Sequence, residues 1–252
     1  MCTVTWATSR AGYRLFMNRD ELFTRGRAEP PAVHRDGGIR YLSPTDSDAG
    51  GTWIAANERG ITVCLLNHYP AEVCGSGEER AGYRSRGHLV RDLVRARSLD
   101  EVSASIAATD LARYQPFTLL AMSATSSPVV HRWDGCDALE TIGDPEPPVA
   151  SSGFDQETVV SSRRDTYARM VGADADADAE RLAAYHRSHL PARGPYSVCV
   201  HREDGGTGSL TVVAVDPRQV TMTYHGGPPC EDGTETTRTL ARTTERDYLP
   251  GA

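Results

Sequence analysis

The chain has 252 residues, and its 34 acidic side chains outnumber 27 basic ones, which gives a formal net charge of −7. This balance and the lack of an arginine-rich patch exclude a nucleic-acid-binding protein, because such binding depends on neutralising phosphates. No apolar run approaches the roughly 20 residues that span a bilayer, so a membrane-spanning segment is excluded as well. The expected partner is a small molecule, and the sequence is compatible with either a monomer or a homo-oligomer.

The first part of the chain is predicted to form two hairpins, with strands at 2–8, 12–18, 52–56 and 61–66. Polar and apolar residues alternate in the first strand, and Asn57 and Gly60 suit the tight reversal between the last two. Residues 26–50 are rich in proline, glycine, aspartate and serine. This composition predicts an irregular surface loop between the hairpins.

The next predicted elements are a helix within 84–99, a short helix from Asp100, strands at 116–124 and 128–133, a helix capped by Ser161 or Ser162, and a helix within 173–190. Apolar residues three and four positions apart indicate the first helix, and cap-forming side chains indicate where the next two begin. In the last helix acidic residues precede basic ones, as the helix dipole favours.

The C-terminal part is predicted to form a three-stranded meander, at 196–203, 209–216 and 219–225. Strands and helices in this order indicate one layered α+β domain over residues 1–227. Residues 228–252 are polar and are expected to form a poorly ordered tail. Neither GxGxxG nor GxxxxGK[ST] occurs, which excludes the common nucleotide-binding folds.

Six cysteines are present: Cys2, Cys64, Cys74, Cys136, Cys199 and Cys230. The N-terminus lacks the basic and apolar stretches of a signal peptide, so we expect a cytoplasmic protein with reduced thiols. Cys64 and Cys199 lie in apolar runs and are interpreted as small buried residues. No CxxC or HxxxH spacing is present, and we predict neither a metal nor another cofactor.

Cys2 combines two reactive groups if Met1 is removed. Housekeeping aminopeptidases remove a methionine that precedes a small residue, which would leave Cys2 with a thiol and a free α-amine. Such an amine titrates near pH ~8 and can therefore accept a proton at physiological pH. One residue would then supply both nucleophile and base, although many unrelated proteins also have a small second residue.

The first hairpin is expected to bring charged residues to Cys2. If its two strands pair across the intervening loop, the numbers of opposing residues add up to roughly 20, and Cys2 faces Asn18. Arg19 and Asp20 then lie close to the N-terminus. Asp20 could hold the amine and Arg19 could favour the thiolate; the alternative is a charged turn that faces water.

Asn67 ends the apolar strand of the second hairpin. Its side-chain NH₂ is a candidate donor to an oxyanion, and the loss of such a donor typically slows a reaction about 10²–10³-fold. The alternative is a turn-forming asparagine ahead of His68.

Five spaced motifs resemble those of the NRDE, or TANGO2-like, proteins: MCT at the start, NRDE at 18–21, GGTW at 50–53, LLN at 65–67 and SRGHLV at 85–90. The resemblance runs over residues 1–135. The same half is similar to cysteine N-terminal-nucleophile hydrolases of the choloylglycine hydrolase and penicillin V acylase group. Two short segments, SVCVH at 197–201 and LTVVAVD at 210–216, also resemble the closing strands of acyl-CoA:penicillin N-acyltransferases.

The resemblance implies a four-layer αββα sandwich of two antiparallel sheets flanked by helices, and cleavage of amide bonds. Carried over by motif, Cys2 is the nucleophile with its amine as base, Arg19 and Asp20 position them, and Asn67 is the oxyanion donor. Six further residues are expected to contact the substrate: Asn18, Glu21, Trp53, His68, Ser152 and Arg164.

Two departures from the hydrolase pattern bear on this assignment. The chain has Ser151-Ser152-Gly153 where relatives have Ser-Asn, and a hydroxyl cannot reproduce the donor and acceptor pair of an amide. The hydrolases read Arg-Asn-x-Asp where this chain reads Asn-Arg-Asp-Glu. The carboxylate role therefore stays open between Asp20 and Glu21.

Two functions from different classes are compatible with the sequence. The first is a cysteine amidohydrolase or acyltransferase that acts on an amide or ester bond of a small molecule through an acyl-Cys2 intermediate. The second is a non-catalytic TANGO2-like protein that binds or traffics haem or a lipid-derived ligand, although the chain has no CxxCH motif for haem attachment. None of the 27 basic residues is a lysine, which indicates a GC-rich genome and a bacterial source.

Overall fold

The computed structural model describes residues 2–69, 82–172 and 178–243, which form two antiparallel sheets and four α-helices. One sheet contains β1 (Cys2–Ser9), β2 (Gly12–Leu22), β10 (Val149–Ser151), β11 (Gly205–Val215), β12 (Gln219–Gly226) and β13 (Thr234–Ala241). The other contains β3 (Glu29–Asp36), β4 (Ile39–Thr45), β5 (Ile54–Asn57), β6 (Thr62–Asn67), β7 (Phe117–Met122), β8 (Val129–Trp133) and β9 (Leu139–Gly143). The helices are α1 (Arg86–Leu93), α2 (Leu99–Ala107), α3 (Gln156–Met170) and α4 (Ala179–His186).

The strand orders are β10-β1-β2-β11-β12-β13 in the six-stranded sheet and β3 to β9 in chain order in the seven-stranded sheet. Side chains such as Val4, Met17 and Leu66 form a core between the two sheets. Helices α1 and α2 pack on the outer face of the seven-stranded sheet, and α3 and α4 pack on that of the six-stranded sheet. The predicted αββα sandwich is therefore confirmed.

Strand β1 is buried on both faces, because it lies between the sheet core and the outer helices. Its alternation sends Val4 and Trp6 into the core between the sheets. Thr3 and Thr5 point the other way, where their hydroxyls bond to Arg163 of α3 and His186 of α4. These two threonines thus meet the helix layer through hydrogen bonds, whereas Ala7 on the same face packs against its apolar side chains.

Both predicted hairpins are confirmed as β1–β2 and β5–β6, whereas the loop predicted over 26–50 is wrong. This segment contains β3 and β4, joined by a turn in which Gly37 and Gly38 have positive φ angles. Proline misled the prediction, because β3 is an edge strand of its sheet and an edge strand tolerates residues without an N–H group.

The C-terminal part also differs from the prediction. Residues 196–203 form an irregular segment with a single bridge at His201 instead of a strand. The third strand of the meander is β13, which pairs along its whole length with β12. The expectation of a poorly ordered tail from residue 228 is therefore wrong as far as residue 243, because the polar threonines of β13 extend the sheet at its edge. Residues 244–252 lie outside the described residues.

Three helix starts also differ from the sequence prediction. Ser98 rather than Asp100 caps α2, since its hydroxyl accepts a hydrogen bond from the N–H of Glu101. Helix α3 begins at Gln156, before the two serines that were expected to cap it. Helix α4 begins at Ala179 with Asp178 as its cap, and 173–177 of the predicted helix lie outside the described residues.

The expectation that every thiol is reduced is wrong at Cys136, which is disulfide-bonded. Cys2, Cys64, Cys199 and Cys230 are free thiols, and Cys64 and Cys199 are fully buried as predicted. None of the helices in the described residues combines the length and apolarity needed to cross a membrane.

Candidate active site

The register of the first hairpin places Cys2 directly opposite Arg19, one residue further than predicted. A shift of one residue reverses which face of the sheet each side chain occupies. Cys2, Arg19 and Glu21 therefore share the face that looks towards the second sheet. Asn18 and Asp20 lie on the opposite face, against the helices.

Cys2 lies at the end of a cavity of about 400 Å³ between the ends of the two sheets. Strand β1 contributes the thiol from one sheet, and β6 contributes Asn67 from the other. Arg19, Glu21, Arg25, Asp46, Trp53, Arg84 and Arg86 also line this cavity. Cys2, Arg19, Glu21, Trp53 and Asn67 were all predicted as site residues, and the structure brings these five together.

Two glycines let the first helix form one wall of this cavity. Gly87 in α1 packs on Gly51 and Thr52 so closely that an added Cβ would lie 2.7 Å from the Thr52 nitrogen. The same contact includes a hydrogen bond from the Thr52 N–H to the Gly87 carbonyl, at 3.2 Å. The GGTW and SRGHLV motifs thus meet at the cavity, which gives their glycines a steric role.

Arg19 is held in a compact charge network beside Cys2. Its guanidinium lies 2.9 Å from the Asp46 carboxylate and 3.2 Å from that of Glu21. Arg25 bridges the same two carboxylates at 2.8 and 2.9 Å. Arg19 also stacks 4.5 Å from the centre of the Trp53 ring. These contacts hold the guanidinium in one position, so Arg19 forms an ordered part of the cavity wall beside Cys2.

The cavity carries excess positive charge, since four arginines line it with only two carboxylates. Arg19 and Arg25 are paired with Glu21 and Asp46, which leaves Arg84 and Arg86. Neither of these forms an ion pair within the described part of the chain. Arg86 donates to the Pro116 carbonyl at 2.8 Å, and burial lowers the pKa of its guanidinium.

Asp20 and Arg163 form a buried ion pair behind Cys2. Both side chains are fully buried, and their charged atoms lie 3.4 Å apart. Arg163 also donates to the Cys2 carbonyl at 3.4 Å and to the Thr3 hydroxyl at 2.6 Å. Asp20 accepts a hydrogen bond from Thr207 at 2.6 Å. The pair thus fixes the backbone of Cys2 from the helix side of the sheet.

Burial governs the ionisation of the Cys2 thiol. Burial raises the pKa of the Cys2 thiol; the positive charge of the chain terminus and Arg19 lower it, while Asp20 and Glu21 raise it. Arg19 acts in the direction predicted from the sequence, but burial outweighs it. The thiol is therefore neutral at pH 7, and its activation needs a base.

The comparisons with known proteins agree with this arrangement. The model of the Transport and Golgi organisation 2 family, TANGO2, matches residues 1–140, which is more than half of the chain. The chain belongs to the TANGO2 family. No curated protein matches its sequence.

Solved structures show which fold this TANGO2 chain has. It is similar to a Caenorhabditis elegans N-acylethanolamine-hydrolyzing acid amidase ortholog, with a TM-score of 0.61 and 12% identity over 84% of this chain and 92% of that chain. A mutant conjugated bile acid hydrolase from Clostridium perfringens gives a TM-score of 0.57 at 10% identity, over 98% of both chains. Penicillin V acylase from Agrobacterium tumefaciens gives 0.51 at 11%, over 89% and 83%. The TANGO2 chain thus has the fold of N-terminal-nucleophile hydrolases.

Asn67 lines the cavity of the TANGO2 chain with a side-chain amide. Its Nδ2 donates to the Tyr69 hydroxyl at 2.9 Å. Because Nδ2 carries two hydrogens, this bond leaves one for an oxygen in the cavity. The indole nitrogen of Trp53 is also buried and has no hydrogen-bond partner among the described residues.

The serine beside the nucleophile is Ser151 rather than the predicted Ser152. Ser151 pairs directly opposite Cys2 between β10 and β1, and its hydroxyl has no partner in the described ranges. Ser152 is fully buried in the turn before α3, where its hydroxyl bonds to the Phe154 backbone. Strand β10 ends at Ser151, so Ser152 belongs to the turn and takes no part in the pairing with β1.

Three other predicted contact residues lie outside the cavity. Asn18 is fully buried on the helix face, where it bonds to the carbonyls of His186 and Val198. His68 donates its backbone N–H to Pro116, and Arg164 points outward from α3. Arg163 was considered together with Arg164 as a contact to an anionic substrate, but two consecutive arginines on a helix do not show that it is Arg163 that faces inward.

His186 fastens α4 to the nucleophile sheet. Its two ring nitrogens lie 2.8 Å from the Thr5 hydroxyl and 3.0 Å from the Asn18 amide oxygen. Burial, and secondarily Arg163, lower the pKa of His186 to about 3. The ring is therefore neutral in the folded chain at any pH above that value.

Acidification from pH 7 to pH 5 is expected to destabilise the fold by roughly 2 kcal/mol through His186. The unfolded pKa is about 6.5, so between the two pKa values only the unfolded chain takes up this proton. The contribution is present above that unfolded pKa and is lost as the pH falls. Urea unfolding at both pH values measures the free energy of unfolding that is lost between pH 7 and pH 5. This loss should be roughly 2 kcal/mol smaller in His186→Gln than in the parent chain, and unchanged in His34→Gln. Equal losses in both variants would contradict the assignment.

One group of potential metal ligands lies outside the cavity. The ligand atoms of His189, Cys199, His201 and Cys230 all lie within 4.8 Å of one another. The prediction that no metal binds rested on sequence spacing, which is blind to ligands that three separate segments contribute.

Proposed function

We propose that the chain is a cysteine N-terminal-nucleophile amidohydrolase or acyltransferase, with Cys2 exposed by removal of Met1. The observation that carries this proposal is the meeting of the Cys2 thiol and the Asn67 amide in one cavity. The fold and the buried pair behind Cys2 support it. The substrate is a small molecule with an amide or ester bond.

In the reaction, the α-amine of Cys2 takes the thiol proton, and Sγ attacks the carbonyl carbon. The carbonyl oxygen becomes an oxyanion that accepts a hydrogen bond from Asn67 Nδ2. Collapse of this intermediate breaks the C–N bond, and the ammonium returns its proton to the leaving nitrogen. Water or a second amine then attacks the acyl-Cys2, gives its proton to the α-amine, and releases the acid or the new amide. The thiol and amine are then restored to their starting states.

Asp20 and Arg163 are positioning residues in this reaction. Arg163 reaches the carbonyl of Cys2 and the hydroxyl of the next residue, Thr3. It thereby fixes the first residue of β1, whose own amine must face its own thiol. Of the two carboxylates left open by the sequence, Asp20 suits this role, because Glu21 is engaged by Arg19 and Arg25 on the cavity side.

The charge of the cavity favours a substrate with an anionic group near the reacting bond. Arg84 and Arg86 line the same cavity as Cys2 and form no ion pair within the described residues. A carboxylate or phosphate can accept two parallel hydrogen bonds from one guanidinium. We therefore assign to Arg86 the substrate contact that was predicted for Arg164, because Arg164 lies on the outside of α3.

Asn67→Ala is expected to lower the acylation rate of Cys2 about 10²–10³-fold, because it removes the oxyanion donor. The measurement is release of a chromogenic amine from a panel of acyl amides with and without a terminal carboxylate. Tyr69→Phe is the matched control, since it removes the hydroxyl bonded to Asn67 and keeps the amide. A rate in Asn67→Ala that equals the rate of the parent chain would overturn the role of Asn67.

A further inference from the structure

Four soft ligands converge at one place in the C-terminal half of the chain. His189 follows α4, Cys199 and His201 lie in the irregular segment before β11, and Cys230 lies in the connection between β12 and β13. Both cysteines are free thiols, and none of the four residues lines the cavity of Cys2. The cluster therefore belongs to a different part of the molecule.

Four of the six distances between the ligand atoms are close to the edges of a coordination tetrahedron, and the other two, from His189 to the sulfurs, lie within 4.8 Å. Zinc bonds of about 2.3 Å to sulfur and 2.0–2.1 Å to nitrogen give edges of about 3.8 Å between sulfurs, 3.5 Å between sulfur and nitrogen, and 3.3 Å between nitrogens. The two sulfurs lie 3.5 Å apart, and His201 Nε2 lies 3.6 and 3.3 Å from Cys199 and Cys230. The Nε2 atoms of His189 and His201 lie 3.2 Å apart.

We propose that His189, Cys199, His201 and Cys230 bind one Zn²⁺ ion in a structural site. Two thiolates and two imidazoles form the closed tetrahedral set that structural zinc prefers, with no position left for water or substrate. Binding releases the two thiol protons to solvent, and the Nε2 lone pairs of both histidines face the ion. The ion joins three segments that are distant in sequence.

One neighbour must adjust when the metal binds. Arg193 lies 3.1 Å from His201 Nδ1 and 3.0 Å from the Glu231 carboxylate. With Nε2 of His201 on zinc, Nδ1 carries a hydrogen and no longer accepts from Arg193. The Arg193 side chain is more than half exposed and stays with Glu231, so this adjustment requires no movement of the backbone.

The site stabilises the segment that supports Asp20, the positioning carboxylate behind Cys2. The Val200 N–H donates to Thr207 at 2.8 Å, and Thr207 donates to Asp20 at 2.6 Å. The Val198 carbonyl accepts from Asn18 at 3.0 Å. Zinc at Cys199 and His201 would therefore hold residues 198–201 against the strand that carries Asn18 and Asp20, without taking part in the chemistry.

The test uses the full chain with a tag that contains no histidines, purified under reducing conditions. We expect one zinc per chain by elemental mass spectrometry. After chelation, Co²⁺ should restore the intense visible bands of a tetrahedral thiolate site at one equivalent. Cys230→Ser and His201→Gln should weaken Co²⁺ binding at least about 100-fold. The controls Cys64→Ala and His34→Gln change residues of the same types outside the cluster and should bind normally.

A second measurement uses the unaltered chain and does not depend on how the variants fold. Zinc should protect Cys199 and Cys230 from alkylation and raise the unfolding temperature, and chelation should reverse both effects. The proposal is overturned if the reduced chain binds neither metal. It is equally overturned if binding persists in Cys230→Ser and His201→Gln, or if the two sulfurs are found as a disulfide that excludes metal. None of these outcomes depends on whether the chain cleaves amides.

Discussion

Replacing Cys2 by alanine is expected to lower amide cleavage at least about 10⁴-fold while the fold survives, because the nucleophile forms the bond that defines the reaction. Alanine is also small, so removal of Met1 and the free α-amine are retained. The backbone pairing of residue 2 with Arg19 and Ser151 does not involve the thiol. The measurement is turnover of the best chromogenic amide, together with the thermal unfolding midpoint.

A second variant separates the thiol from the amine. One extra residue ahead of Cys2, added by a protease-cleaved fusion, keeps the thiol and converts its amine into an amide that cannot accept a proton. This variant should be as inactive as Cys2→Ala. Activity that persists in Cys2→Ala would remove the nucleophile from the account, and activity that persists in the extended chain would remove the base.

Arg163→Met is expected to destabilise the fold by about 3–5 kcal/mol, because it leaves the buried Asp20 carboxylate without this guanidinium. Both side chains are fully buried, so solvent cannot screen the charge that remains. The measurement is urea unfolding. Arg164→Met is the matched control, since the neighbouring arginine is exposed and its loss should change stability by less than about 0.5 kcal/mol.

The double variant Arg163→Met with Asp20→Asn tests whether the two charges act together. Neutralising both partners should recover part of the stability lost in Arg163→Met, because no uncompensated charge stays buried. If the stability losses of the two single variants simply add in the double variant, the ion pair is not the source of the effect. Similar unfolding curves for the Arg163 and Arg164 variants would contradict the buried pair altogether.

The sequence predicted the nucleophile hairpin but missed its register by one residue. The predicted strands end at Thr8 and begin at Gly12, with a loop over 9–11, whereas Ser9 pairs with Gly12 across a two-residue turn. Gly12 has φ +149°, and an added Cβ would lie 1.9 Å from the Val215 carbonyl oxygen. This close approach depends on β11, which is remote in sequence, so no local pattern could reveal it.

The register error explains which site residues were misplaced. Cys2, its partner Arg19 and Glu21 lie on the same face of the sheet and line the cavity. Asn18 and Asp20 lie on the other face, against the helices. Alternate residues of the NRDE motif at 18–21 therefore lie on opposite faces of the sheet, two towards the cavity and two towards the helices. Arg163 and Ser151 reach Cys2 from elements far along the chain, and only the assembled sheet shows them to be its neighbours.

The proposed zinc site shows another limit of reading a chain by local spacing. Its ligands extend from His189 to Cys230, and two of them lie in a segment whose apolar alternation predicts a strand. The segment is irregular because its backbone bonds to Ser188, Gly194 and Thr207 instead of to a neighbouring strand. A cluster of this kind becomes visible only in three dimensions.

The most direct test of the central claim is the intact mass of the purified chain, before and after reaction with an amide- or lactone-type acylating probe. We expect a chain that lacks Met1 and gains one acyl group, with the adduct mapped to Cys2 and absent in Cys2→Ala. A chain that retains Met1, or one that loses Met1 and gains no adduct at Cys2, would contradict the account and favour a ligand-binding role for the same cavity.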